Sequence, residues 1–201
     1  MIKYKFSTYI RGYCPINKTL EMVLENNSVL RHHSLKKGSS LLLPKMEVEE
    51  MHYLAKGMCK AFWLDENNEE QIFQLWPEDN LVALWEHFFA IQRNTLVHIV
   101  AMEDCEFLSM GKTQLDSICV LHPEMMAAID KIRAAQMESR NLQLQLLMKK
   151  EGDRYACYRK LFSVLKNRLG EKDLCAFLGI RKTTLFYSKR NYLFDGGEVR
   201  L

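Results

Sequence analysis

The chain has 201 residues, 48% of them hydrophobic, which is enough apolar material for one large core or two small ones and excludes a disordered chain. Its net charge of +3 and pI near 8.5 point to no partner as totals, because nucleic-acid binding shows in local patches first. From Asp153 onward eleven basic residues stand against five acidic ones, a surplus of six that leaves −3 for the preceding part, the asymmetry of a DNA-binding module attached to an acidic body.

In chain order, Ile16, Leu20, Val23 and Leu24 recur at helical spacing after Pro15 and predict a short amphipathic helix ending near Asn26 and Asn27. From Leu35 to about Met110 the texture changes to short apolar runs at 41–43, 51–54, 58–64, 72–76, 97–102 and 105–110. Turn signals separate them: Lys37-Gly38, Lys56-Gly57, Asp65-Glu66-Asn67-Asn68 and Pro77-Glu78-Asp79. Many short strands at this spacing indicate an antiparallel barrel or jelly roll. Pro123 then opens a helix of about seven turns that Lys149, Lys150 and Gly152 stop. One seam along it reads Ala128, Ile132, Ala135, Ser139, Leu142 and Leu146, with the alternating spacing of a two-stranded coiled coil. A second stripe, Met137, Leu144, Leu147 and Met148, lies on another face, so one face can pack on its own domain and the other on a partner copy. Asp153 can cap the next helix, whose apolar positions are Ala156, Leu161, Phe162, Leu165 and Leu169 and which Gly170 closes. Two short helical pieces follow, and the tail from Tyr192 through Asp195-Gly196-Gly197 to Leu201 has the layout of a small hairpin.

The six cysteines, Cys14, Cys59, Cys105, Cys119, Cys157 and Cys175, are scattered through apolar stretches without a CxxC pair or zinc-ligand spacing, so reduced and mostly buried thiols are expected. The N-terminal MIKYKFSTYIRGYCP lacks an apolar run of signal-peptide length. No later stretch approaches the ~20 apolar residues of a membrane span, so the expected compartment is the cytoplasm, with no membrane partner.

The segment EKDLCAFLGIRKTTLFYSKR, from Glu171 to Arg190, carries the function. A helix-turn-helix needs apolar residues at its fourth, eighth, tenth and fifteenth positions, a small residue at the fifth and glycine at the ninth. Counted from Glu171 these are Leu174, Leu178, Ile180, Leu185, Cys175 and Gly179, and all fit; the usually apolar eighteenth position holds Ser188. The second helix would enter the major groove, with Arg181, Lys182, Thr183 and Thr184 facing bases and phosphates and Lys189 and Arg190 at its far end.

With these elements in this order, roughly from Leu24 to Leu201, the chain resembles the Crp/Fnr family, to which the cyclic-AMP receptor proteins belong. The matching residues are Leu35-Lys36-Lys37-Gly38, Tyr53-Leu54-Ala55-Lys56-Gly57 before a strand, the Pro77-Glu78-Asp79-Asn80 turn, and Ile99-Val100-Ala101-Met102-Glu103-Asp104-Cys105. The resemblance implies an α+β chain with an N-terminal antiparallel, jelly-roll-like β-roll sensor domain over 1–122, a dimerisation helix over 123–150 and a C-terminal winged helix-turn-helix over 151–201. It further implies a homodimeric DNA-binding transcription regulator that is not an enzyme and has no cofactor. Double-stranded DNA, RNA polymerase and a small-molecule effector, or none, are the implied partners. Members that bind cyclic AMP carry a Gly-Glu pair for the ribose and an arginine for the cyclic phosphate. Here Trp85-Glu86 stands at the pair and Thr95 at the arginine, Arg93 lies close by, and Phe88 and Phe89 crowd the loop. That pocket suits a phosphate poorly, and an effector other than cyclic AMP, or no effector, is implied. The family's base-reading positions correspond to Lys182, Thr183 and Tyr187, where arginine, glutamate and arginine are common.

Rival readings are weaker. A cupin metal site needs an HxH pair, whereas His32 and His33 are adjacent and point to opposite faces of a strand, and His52, His87, His98 and His122 are isolated. An iron-sulfur sensor needs clustered N-terminal cysteines, and Cys14 stands alone. For His52 and His98 a structural role is favoured over haem ligation. The serious alternative is a β-roll interaction or sensor protein whose DNA-binding module has decayed.

Overall fold

The structure, a computed structural model, describes residues 2–26 and 29–194. Two helices open the chain, α1 (Ile2–Tyr13) and α2 (Lys18–Glu25). The second is the helix expected after Pro15; Asn17 caps it by accepting the Leu20 amide at 2.8 Å, as side-chain oxygens at helix starts do. The first was not expected from the sequence. It forms around Phe6 and Ile10, one turn apart and fully buried, and its Phe6 and Tyr9 rings lie 5.2 and 5.3 Å from Tyr53.

Eight strands follow: β1 (Arg31–Leu35), β2 (Ser40–Leu42), β3 (Glu50–Lys56), β4 (Met58–Leu64), β5 (Glu70–Pro77), β6 (Asn80–Val82), then, after helix α3 (Trp85–Ala90), β7 (His98–Ala101) and β8 (Cys105–Gly111). They form two four-stranded sheets, ordered β1-β8-β3-β6 and β2-β7-β4-β5, the antiparallel roll the turn spacing predicts. All six predicted apolar runs become strands. The sequence reading missed β1 and β6: β1 reads RHHSL, with no apolar alternation, and is held by its full register against β8 from Arg31↔Ser109 to Leu35↔Cys105. At the β3–β4 turn Gly57 takes φ +96°, and a Cβ there would lie 2.7 Å from Cys105 Sγ and 2.8 Å from the Asp104 carbonyl oxygen, so only glycine fits.

Helix α4 (Lys112–Leu121) leads into α5 (Pro123–Leu147), which is the long helix expected, and then come α6 (Glu151–Leu161), a 3-10 turn at Ser163–Leu165, α7 (Glu171–Leu178) and α8 (Lys182–Phe194). Two expectations are corrected here. The helix expected from Asp153 to Gly170 starts at Glu151, so that Gly152 lies inside it, and stops at Leu161, because Phe162 stacks on Tyr158 at 6.1 Å and meets Phe177 edge-on at 5.2 Å, while the Tyr158 hydroxyl donates to the Leu165 carbonyl at 2.8 Å. Asp153 sits in the first turn of α6, and Lys150 occupies the cap. In the tail, Tyr192, Leu193 and Phe194 continue α8; the rest of the expected hairpin lies outside the described residues. Two compact units are distinguished, Met1–Ala61 with Leu75–Gln136, and Phe62–Gln74 with Met137–Leu201. Among the described residues no helix is long and apolar enough to cross a membrane, and no three His, Cys, Asp or Glu side chains gather as metal ligands.

Inside the first unit, Ser109 Oγ lies 2.7 Å from His52 Nδ1 and 3.2 Å from His33 Nδ1. One hydroxyl proton serves one of these contacts, so with both rings neutral the other is donated by an imidazole N–H. Burial, followed by the neighbouring His33 and Arg31, pushes His52 down to about 3. An unfolded His52 takes up a proton below about pH 6.5, and the folded one stays neutral until far lower pH. Its contribution to stability is therefore complete above pH 6.5 and falls by about 2 kcal/mol by pH 5. Denaturant midpoints at pH 7.5 and 5.0 should show this loss in the wild type and a smaller one in His52→Gln; equal losses would refute the assignment.

Candidate nucleic-acid interface

The effector loop expected in the roll is filled. Trp85, Phe88 and Phe89 pack together with ring centroids 5.3 to 6.3 Å apart, and the Arg133 guanidinium covers Phe89 at 4.9 Å. Trp85 Nε1 donates to Gln136 Oε1 at 2.8 Å, and Gln136 Nε2 donates to the Leu81 carbonyl at 2.7 Å. Glu86, Arg93 and Thr95 are exposed, and Arg93 is paired with Glu47 at 3.1 Å. None of these six residues lines the roll cavity of about 340 Å3 whose walls include Leu42, Val48, His52, Val82 and Leu84.

Along α5 the predicted dimer seam divides. Ala128 and Ile132 are buried beside Met125 and Ile129, and Leu146 is buried as well; Ser139 and Leu142 are half-buried and Ala135 is exposed. Ala128, Ile132 and Leu146 are thus core residues of the chain itself, which corrects the expectation that they face a partner copy. The apolar side chains left outside are Ala127, Ala134, Ala135, Met137 and Leu144, with Met148 just past the helix end.

In the C-terminal segment, α7 and α8 form the expected helix-turn-helix. Leu174, Leu178, Ile180 and Leu185 are all buried. Gly179 ends α7 in the left-handed region at φ +59°, as a glycine after a helix does, and the Ile180 amide returns to the Cys175 carbonyl at 3.1 Å. Arg154 holds this turn from α6: its Nη1 donates to the Leu178 and Gly179 carbonyls at 3.0 and 2.9 Å. Its charge stabilises the carbonyl end of α7 and belongs to the scaffold. Ser188, at the position usually apolar, is buried, and its Oγ has no hydrogen-bond partner among the described residues.

The cations expected to meet DNA divide into two groups. Lys189 donates to Glu171 Oε1 at 3.0 Å and Lys182 lies 3.8 Å from Glu171 Oε2; Lys189 first, then Lys182, holds the Glu171 carboxyl below the usual range. Arg181, Thr183, Tyr187 and Arg190 are exposed and Thr184 is half-buried. The Arg190 guanidinium lies 5.5 Å from the Tyr187 ring. Beside it Phe186, which the sequence reading passed over, is 63% exposed. Its three-to-four-residue spacing from Thr183 and Arg190 was the available signal, since that spacing puts all three on one helix face.

The sequence matches no protein-family model and no curated protein. Solved structures do match the fold. FixK2 from Bradyrhizobium japonicum aligns with a TM-score of 0.70 at 13% identity, over 84% of this chain and 86% of that one. A transcriptional regulator of the Crp/Fnr family from Eubacterium rectale gives 0.68 at 14% identity, over 90% and 85%. A CooA mutant from Carboxydothermus hydrogenoformans gives 0.68 at 15% identity, over 91% and 87%. The chain therefore has the fold of Crp/Fnr-type regulators.

Proposed function

We propose that the chain is a homodimeric, DNA-binding transcription regulator of the Crp/Fnr type, with no catalytic role, working with RNA polymerase. The observation that carries this reading is the α7–Gly179–α8 helix-turn-helix, with its four packing positions buried and Arg181, Lys182, Thr183, Tyr187 and Arg190 turned outward. Such an arrangement has little to do in a free domain and suits docking of α8 in a major groove. Its effector, if any, is other than cyclic AMP: Thr95 offers no charge to a cyclic phosphate, Arg93 is occupied by Glu47, and aromatic rings fill the loop.

The test is binding to duplex DNA across a salt series. If Arg181, Lys182, Lys189 and Arg190 of each copy neutralise phosphates, eight for the dimer, log K should fall against log salt with a slope of roughly −7. A chain that binds no duplex at about 50 mM salt would fail the reading. The second reading, a β-roll interaction or sensor protein with a decayed module, draws on Glu171, which engages two of those four cations, and on the Ser188 hydroxyl, buried and without a partner among the described residues. It predicts weak binding with little sequence preference.

A further inference from the structure

The outward face of α8 is unusual in being aromatic. Phe186 is 63% and Tyr187 56% exposed, and the two rings meet edge to face with centroids 5.6 Å apart. One turn on either side stand Thr183 and Arg190, both exposed. The inner face is fully assigned: Leu185 and Ser188 are buried against the motif, and Tyr192 packs edge-on to Tyr155 at 5.6 Å. Phe186 and Tyr187 therefore add nothing to the packing of the helix-turn-helix.

We infer that Phe186, backed by Tyr187, reads thymine methyl groups in the major groove, so that the site bound by this protein carries thymine where α8 crosses it. The inference rests on the DNA-binding reading above and specifies what that site recognises. Three observations favour DNA as the occupant of this face. The rings are flanked by Lys182 and Arg190 on the same helix and by Arg181 just before it, which complement a phosphate backbone and would repel a basic partner. Arg190 lies over the Tyr187 ring, a contact that fixes the aromatic pair while leaving the Phe186 edge outermost. Phe186 has no hydrogen-bonding group, so the base-edge feature it can sense is the one apolar group of the major groove, the thymine C5-methyl. Thr183, one turn earlier, brings a second methyl to the same face. Lysine and arginine at such positions would select guanine instead.

The experiment has two stages. The full chain selects duplexes from a random DNA library, and the enriched duplex is then synthesised with deoxyuridine replacing thymine at single positions, which removes the methyl group and nothing else. Burial of one such group corresponds to about a fourfold change in affinity. Wild type is expected to lose about fourfold per critical thymine, and about fifteenfold when both half-sites are changed. Phe186→Ala is expected to bind the thymine and deoxyuridine duplexes equally, and Tyr187→Phe to keep the difference. Because Phe186 is exposed, its removal leaves the core intact, so Phe186→Ala assigns the methyl contact to Phe186 rather than to Thr183, and a variant that keeps the wild-type difference would overturn the assignment. An enriched duplex that binds wild type equally well with thymine or deoxyuridine would overturn this inference and leave DNA binding standing. Failure to enrich any duplex, with self-association through the aromatic face, would overturn both.

Discussion

Ile132→Asp should unfold the first unit, whereas Leu144→Asp should give a folded chain that sediments as a monomer. Ile132 is fully buried in the chain. Truncating such a side chain costs about 2–5 kcal/mol, and the added carboxylate has no partner there, which costs several more. The sum rivals the whole stability of a typical domain, about 5–15 kcal/mol. Leu144 is 59% exposed and Met137 is 50% exposed, so a charge at either position stays in water when the chain is alone. It becomes costly only against a second copy. The exposed face has the heptad pattern of a two-stranded coiled coil: Ala127, Ala134, Asn141 and Met148 are seven residues apart, with Met137 and Leu144 offset between them. An asparagine at one such core position is the usual device for fixing register and two-strandedness. Thermal unfolding and sedimentation velocity at micromolar concentration separate the outcomes. A wild type that sediments as a monomer refutes the dimer, and a dimeric Leu144→Asp moves the interface off this face.

The same helix explains how far the sequence could be read. A turn of 100° per residue places the predicted seam, Ala128 to Leu146, directly beside the exposed one, and apolar residues populate both. Periodicity detects a helix with two apolar faces; which face the roll takes is settled by packing that no local pattern encodes. Strands with apolar alternation or bounded by turn residues were legible, and β1, written RHHSL, was not, because its pairing is a main-chain register with β8. The helix-turn-helix was legible because its spacing reports burial directly: Leu174, Leu178, Ile180 and Leu185 are all buried, as the motif's packing positions require. Charge pairing was not. Nothing in the spacing of Glu171, Lys182 and Lys189 announces that one carboxylate collects both lysines, and Arg154 counts toward a basic surplus while its guanidinium is committed to the carbonyls of the α7 turn.

That pairing makes Glu171 and Lys182 act in opposite directions on DNA affinity. Lys182 opens α8, where the entry of a recognition helix meets base edges, and Lys182→Ala should cost ~1 to 3 kcal/mol per half-site and relax preference at one base pair. Lys189 lies two turns further and is half-buried against Glu171, so Lys189→Ala should weaken all sequences alike. Glu171→Gln removes the carboxylate that competes with phosphate for both lysines. It is therefore expected to tighten binding to specific and random duplexes together and to steepen the salt dependence, since more cations become available to displace counterions. The substitution forgoes a favourable charge at the start of α7, so a small loss of thermal stability should accompany the gain in affinity. Measured on one selected duplex and one random duplex across a salt series, the three variants give distinct signatures: lost discrimination, uniform weakening and uniform tightening. If Glu171→Gln binds no better than wild type while Lys182→Ala is unchanged, the lysines at this helix entry do not meet DNA, and the docking of α8 proposed here is wrong.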